Sequence, residues 1–115
     1  MKSKSFEDAC EDQGENPNDK KFTTGTPDDI AYQKLKVITR ALREGVVLDY
    51  ADGNQKKWYV WFKYEGSGFR FYDSHCGYAH SGSLGGSRLC VDTEEKAKHL
   101  GTHPEFLALY NQFLK

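Results

Sequence analysis

Alternating side chains along residues 58–64 and 69–72 predict an aromatic β-hairpin. Residues 58–64 read Trp-Tyr-Val-Trp-Phe-Lys-Tyr, and after Glu-Gly-Ser-Gly the chain continues Phe-Arg-Phe-Tyr. Successive side chains of a strand point to opposite faces of the sheet, so the residues divide into two sets. One set is an ordinary core face, made up of Trp58, Val60, Phe62, Tyr64, Phe69 and Phe71. The other set, which we call the aromatic-basic face, consists of Tyr59, Trp61, Lys63, Arg70 and Tyr72.

The aromatic-basic face is the candidate binding surface, because large rings are costly to leave in water without a cover. Trp, Tyr and Arg are the residues that most often dominate the energetics of protein interfaces. Exposed rings can also stack on nucleobases. The alternative is that the C-terminal helices cover this face, in which case both faces of the hairpin belong to the core.

Start signals and helical spacing predict a long helix before the hairpin. Thr26 can cap it, Pro27 suits its first position, and the two aspartates that follow favour the positive end of the helix dipole. We expect the helix to run from about Pro27 to Glu44 and to end at Gly45. Its apolar positions recur at helical spacing and form the buried stripe: Ala31, Leu35, Ile38 and Leu42.

Shorter elements complete an α+β fold. Residues 5–10 are typical of a short capped helix, and whether it packs on the body is left open. Two C-terminal helices are predicted, one from about Asp92 to a stop at Gly101 and one after Pro104. Residues 46–48 and 88–91 are candidate strands, which with the hairpin predict a small antiparallel sheet of three or four strands. In the second C-terminal helix, the core residues are expected to be Phe106, Leu109 or Tyr110, and Phe113.

Charge divides the chain into an acidic N-terminal arm, residues 1–25, and a single α+β domain, residues 26–115. Residues 1–29 carry eight acidic side chains against four lysines, and residues 30–115 carry nine acidic side chains against twelve lysines and arginines. The net charge of -1 argues against binding to nucleic acid, where phosphate contacts supply most of the affinity. No apolar run approaches the length that spans a bilayer.

Cysteine and histidine residues give only weak metal and catalytic signals. The candidates for metal ligands are His75, Cys76, His80 and Cys90, and the chain has no Cys-x-x-Cys pair. Cys76 beside His75 also has the residue types of a nucleophile and base, but neighbours on a strand point to opposite sides. We therefore expect no metal, no cofactor and no catalysis. Three cysteines at no disulfide spacing suit a reducing cytoplasm.

A glycine-rich loop over residues 82–88 offers a second kind of site. Its backbone amides, the Ser87 hydroxyl and the Arg88 guanidinium could surround an anion, with Gly85 and Gly86 allowing close approach. The loop lacks the Lys-Ser/Thr ending of a nucleoside-triphosphate loop, and a plain connector is the alternative. The ligand would be a small nucleotide signal held between this loop and the aromatic sheet.

Five segments together resemble a family of small proteins carried by phages and prophages of gut and marine Bacteroidota. They are residues 5–10, 30–38, 41–45, 58–62 and 86–91. In that family a proline usually stands at the position of Val60, and the last segment usually runs as one helix. The resemblance implies a context in phage–host biology and implies no catalytic mechanism.

The functional expectation is a non-enzymatic accessory protein that binds a host macromolecule through the aromatic-basic face. The resemblance adds host take-over or counter-defence as the setting, and the host cytoplasm as the location. The alternative is the nucleotide-binding function of the glycine-rich loop. A homodimer is a further expectation if one face of the sheet stays uncovered.

Overall fold

The computed structural model describes residues 5–48, 55–66, 68–77 and 89–114 and shows an α+β fold. In this part of the chain, four helices, one 3-10 turn and one antiparallel hairpin follow one another. Their bounds are α1 Phe6–Gln13, a 3-10 turn Lys20–Phe22, α2 Pro27–Leu42, β1 Lys57–Glu65, β2 Gly68–Gly77, α3 Glu94–Thr102 and α4 Pro104–Leu114.

Helix α2 lies at the centre of the helical part, and its predicted start at Pro27 is confirmed. It ends at Leu42, two residues earlier than expected, because Glu44 and Gly45 both adopt positive φ angles of 52° and 86°. All four residues of the predicted stripe are 0–1% exposed. Val37, Thr39 and Ala41 are buried as well, since α1 packs on one side of α2 and α4 on another.

The short helix α1 packs on α2 and contributes to the core. Phe6, Ala9 and Cys10 are buried in it, and the edge of the Phe6 ring meets the Phe22 ring at a centroid distance of 5.0 Å. The Phe6 backbone N–H donates to Glu105 Oε1 on α4, at 2.5 Å. The question that the sequence left open is thus answered by hydrophobic burial plus a hydrogen bond across 99 residues of chain.

Helix α3 begins at its capping residue Thr93, whose hydroxyl accepts a hydrogen bond from the Lys96 N–H at 3.2 Å. It continues through Gly101, where the sequence predicted a stop, and ends at Thr102. Gly101 is buried there because a Cβ at this position would lie 2.6 Å from both Val60 and Phe71. The glycine therefore serves close packing of the helix on the hairpin.

The sheet has two strands in the described residues, and the expectation of three or four is not confirmed. Residues 46–48 form no strand, and Val47 is 80% exposed. Of the second candidate strand, residues 89–91 are described, and among these only Val91 pairs with the sheet, as an isolated bridge to Trp58. The capping residue of α3 comes two residues after Val91, so the chain must leave the sheet at once.

Helices α3 and α4 cover one face of the hairpin, and the predicted α4 core residues are confirmed. Phe106, Leu109 and Tyr110 are buried, and Phe113 packs against the core. The Phe62 ring meets the Tyr110 ring at 4.6 Å. Among the described helices, none is long and apolar enough to cross a membrane.

Candidate functional site

The antiparallel register of the hairpin places the predicted aromatic-basic residues on one face. Lys63 stands opposite Arg70, and Trp61 stands opposite Asp73. Tyr72 is an extra residue at a bulge between these two pairs. The Lys63 ammonium lies 5.9 Å from the centre of the Tyr72 ring, so both side chains share this face.

The bulge at Tyr72 changes which β2 side chains face outward. Strict alternation from Arg70 would turn Asp73 toward the core, but the bulge pairs Asp73 with Trp61 instead. Ser74 consequently turns inward opposite Val60 and is 8% exposed. Among the described residues its hydroxyl has no hydrogen-bond partner. Burying a hydroxyl without a hydrogen-bond partner costs about 1–3 kcal/mol of folding free energy. Other contacts of the folded hairpin must offset this cost.

Exposure varies along the aromatic-basic face. Trp61 is 51% exposed and Tyr72 is 60% exposed, and the Lys63 and Arg70 side chains are open to solvent. Tyr59 is half-buried, and Lys57, further along the same face, is fully buried. The open part of the candidate site is therefore Trp61, Lys63, Arg70 and Tyr72, which we call the outer patch. The helices α3 and α4 lie against the opposite face.

Acidic side chains that the sequence analysis left out balance the charge of the outer patch. Glu65 Oε1 lies 3.5 Å from Lys63 Nζ, and Glu65 Oε2 lies 3.2 Å from Arg70 Nη1. Exposed ion pairs of this kind contribute little stability, typically about 0–1 kcal/mol. With Asp73 facing the same way, two carboxylates accompany two cations. The place of Glu65 on this face could have been predicted, because it comes two residues after Lys63 on the same strand. The place of Asp73 could not, because it depends on the bulge.

Tyr64 was predicted on the core face, but it is 59% exposed. Its ring packs edge-on against Phe69 at 5.1 Å, near the turn that joins the two strands. The Tyr64 ring therefore lies largely in solvent, although it belongs to the core face.

An apolar groove of about 330 Å³ adjoins the same strand. It is lined by Tyr59, Val60, Phe62, Leu89, Tyr110, Phe113 and Leu114. Burial is the main reason that the pKa of Tyr110 lies well above its usual range, and the nearby Cys90 raises this pKa further. The sequence analysis missed this groove because its wall comes from three segments that only the fold brings together.

The glycine-rich loop and most of the metal candidates belong to segments outside the described residues. Gly85, Gly86, Ser87, Arg88 and His80 lie outside the described residues, and so do the side chains of His75 and Cys76. Cys90 is buried, and its backbone carbonyl accepts a hydrogen bond from Arg43 Nε at 2.9 Å. The described part of the chain contains no group of three His, Cys, Asp or Glu residues that could hold a metal ion.

The fold and the outer patch define an α+β protein with two half-exposed aromatic rings on one face of an antiparallel hairpin. No protein-family model, curated protein or solved structure matches the chain. The resemblance to phage and prophage proteins therefore stays an expectation from the sequence motifs.

Proposed function

We propose that the protein is a non-enzymatic accessory protein that binds a host macromolecule through the outer patch. The observation that carries this proposal is the exposure of two large rings, Trp61 at 51% and Tyr72 at 60%, on one face of one hairpin. The setting in host take-over or counter-defence comes from the resemblance to phage and prophage proteins.

The charge pattern favours a protein as the macromolecule. Lys63 and Arg70 are accompanied by Glu65 and Asp73, so the patch has no surplus of positive charge to neutralise phosphates. Protein interfaces instead combine buried aromatic anchors with a polar, charged rim. Trp61 and Tyr72 supply the anchors, and the four charged groups supply the rim.

The patch stands on a braced support, which favours binding. On the opposite face of the hairpin, Gly101 lets α3 approach Val60 and Phe71 closely. Asn111 of α4 also holds the backbone of Phe69, accepting from its N–H at 2.7 Å and donating to its carbonyl at 3.1 Å. A surface whose backbone is already ordered loses less conformational entropy when it binds.

The test is affinity capture from host lysate followed by chemical cross-linking. The double variant Trp61→Ala, Tyr72→Ala removes both anchors, and Val47→Ala is the control, since it removes an apolar side chain that is 80% exposed outside the hairpin. We expect the wild type and the control to enrich the same host protein, cross-linked at Lys63. The double variant should lose it at least about tenfold, because two interface rings typically contribute more than 1.4 kcal/mol.

Two results would contradict the proposal. One is equal enrichment of the host protein by the double variant, and the other is cross-links confined to lysines remote from the hairpin, such as Lys98 and Lys21. A thermal-shift screen with mono-, di- and cyclic nucleotides tests the alternative. Stabilisation by a nucleotide that disappears in Arg88→Ala would favour nucleotide binding over protein binding.

A further inference from the structure

The two outer edges of the hairpin differ in how their backbone groups are satisfied. On β2, the side chain of Asn111 bonds both the N–H and the carbonyl of Phe69. On β1, Val91 exchanges two hydrogen bonds of 2.8 Å with Trp58. In the described part of the chain, Val91 is the only residue that pairs along the β1 edge.

The Val91 bridge shows which groups of β1 point to this edge. In an antiparallel sheet, alternate residues direct both their N–H and their carbonyl to the same neighbour. Since Trp58 directs both groups away from β2, the following alternate residues Val60, Phe62 and Tyr64 do so too. Three residues in a row thus present a hydrogen-bonding edge, which is a template for a further strand.

Apolar surface accompanies this edge. The groove of about 330 Å³ begins at Val60 and Phe62 and is closed by Leu89, next to the bridging segment, and by the end of α4. A strand added along β1 would therefore carry alternate side chains over the groove. Those side chains should be large and apolar or aromatic.

We infer that the strand is β1 of a second copy of this chain, added antiparallel about a twofold axis at Phe62. Pairing Phe62 with the second copy's Phe62 sets Val60 opposite the second copy's Tyr64, and the reverse. All three residues belong to the set that points to the edge, so the register satisfies both strands. The result is a four-stranded sheet with an isologous interface, the commonest kind in homodimers.

Tyr64 is the feature that makes the edge complementary to itself. It is 59% exposed in the single chain, although it belongs to the core face. In the dimer each Tyr64 lies beside Val60 of the other copy, over that copy's groove. One contact thus buries the exposed ring and fills the apolar groove at the same time.

The charges on the opposite face agree with this register. Lys63 falls opposite the second copy's Trp61, and Glu65 falls opposite its Tyr59, so no two like charges are directly paired. Moving the twofold axis one residue toward the turn, to Lys63, would pair Lys63 with the second copy's Lys63, which is destabilising. Moving the axis one residue the other way, to Trp61, would pair the second copy's Tyr64 with Trp58, whose backbone N–H and carbonyl are already bonded to Val91.

Dimerisation at the edge does not rest on the proposed function, but it would extend the binding surface. The helices of both copies lie on the same side of the four-stranded sheet. Two outer patches then lie side by side on the other side and form one continuous aromatic surface.

Sedimentation equilibrium of the full chain from about 1 to 200 µM tests the dimer through its dependence on concentration. We expect a mass of twice 13.1 kDa for the wild type. Tyr64→Lys should return the mass to 13.1 kDa, whereas Tyr72→Lys, at 60% exposure on the opposite face, should remain a dimer. A monomeric wild type, or dissociation by Tyr72→Lys alone, overturns the inference.

A cross-linking measurement on the wild type tests the register without any substitution. In the proposed pairing the two Lys63 residues are diagonal neighbours, about 7–8 Å apart at the backbone. Mixing ¹⁵N-labelled and unlabelled protein should give a mixed-isotope Lys63–Lys63 cross-link with a short lysine-specific reagent. A dimer that yields intermolecular cross-links elsewhere but none at Lys63 rejects this interface even if Tyr64→Lys unfolds.

Discussion

At the residue scale, Gly101 shows how a small side chain can decide the position of a helix on a sheet. A glycine directly after the last apolar residue, Leu100, is typical of the end of a helix, yet α3 continues through Gly101. What the position requires is space, because Val60 and Phe71 occupy the volume that a methyl group would need. A glycine that ends a helix and a glycine that admits a neighbour look the same in one sequence.

Gly101→Ala should therefore destabilise the protein despite the better helix propensity of alanine. Propensity favours alanine by about 0.5–1 kcal/mol, but overpacking against two side chains at 2.6 Å costs about 1–3 kcal/mol. We expect a net loss of about 1–2 kcal/mol in the free energy of unfolding, measured by urea denaturation. In the background of Val60→Ala the loss should shrink. Independent, additive effects of the two substitutions would disprove the contact.

At the residue scale, the face of the hairpin to which a side chain points was harder to predict than the existence of the hairpin. The alternation of residues 58–64 was enough to assign Trp61 and Lys63 to the outer face. It could not assign Asp73, because a bulge adds one residue and reverses the alternation beyond it. A bulge is a property of the pair of strands, and one strand's sequence carries little sign of it.

At the element scale, α1 is a helix of eight residues that depends on its tertiary contacts. Isolated helices this short are marginal in water. Burial of Phe6, Ala9 and Cys10 against the core stabilises it, together with the hydrogen bond from the Phe6 N–H to Glu105. The acidic sequence around α1 suggested an arm, but its three apolar residues at helical spacing are what the core uses.

Removing the Glu105 acceptor should loosen α1 specifically. A hydrogen bond to a charged group contributes about 1.5–3 kcal/mol, so Glu105→Ala should lower hydrogen-exchange protection of the α1 amides more than that of α2. Glu105→Gln keeps an oxygen acceptor and should lie between the alanine variant and the wild type. Equal loss of protection in α1 and α2 would indicate a global effect and exclude the local role.

At the scale of the whole molecule, the raised pKa values of Tyr110 and Cys10 link stability to alkaline pH. Burial raises the pKa of Tyr110. Burial also raises the pKa of Cys10, and the negative charge of the nearby Glu15 carboxylate raises it further. Both groups stay protonated in the folded chain at a pH where the unfolded chain loses the proton. Their contribution is complete below the unfolded pKa values, 9.0 for cysteine and 10.0 for tyrosine, and falls as the pH rises above them.

Tyr110→Phe should make the loss of stability above pH 10 shallower. Phenylalanine keeps the ring that packs on Phe62 but has no proton to release. We expect little change in thermal midpoint at pH 7 and a higher midpoint than the wild type at pH 11, followed by circular dichroism. Tyr72→Phe is the control, because it removes the hydroxyl of an exposed tyrosine and should leave the pH dependence unchanged. Cys10→Ser would not serve, because it would bury a hydroxyl in the core. Parallel pH curves for wild type and Tyr110→Phe would contradict the assignment.

The sequence by itself determined the elements whose signals are local. Apolar spacing and the proline at the first helical position were sufficient for α2 and its buried stripe, and alternation was sufficient for the hairpin, since both depend on neighbours in the chain. Only the tertiary structure decided the number of strands, the closeness of α3 to the hairpin, and the exposure of Trp61, Tyr64 and Tyr72. Those outcomes depend on which surfaces meet, and segments distant in sequence, such as Val91 beside Trp58 and Asn111 beside Phe69, supply the partners.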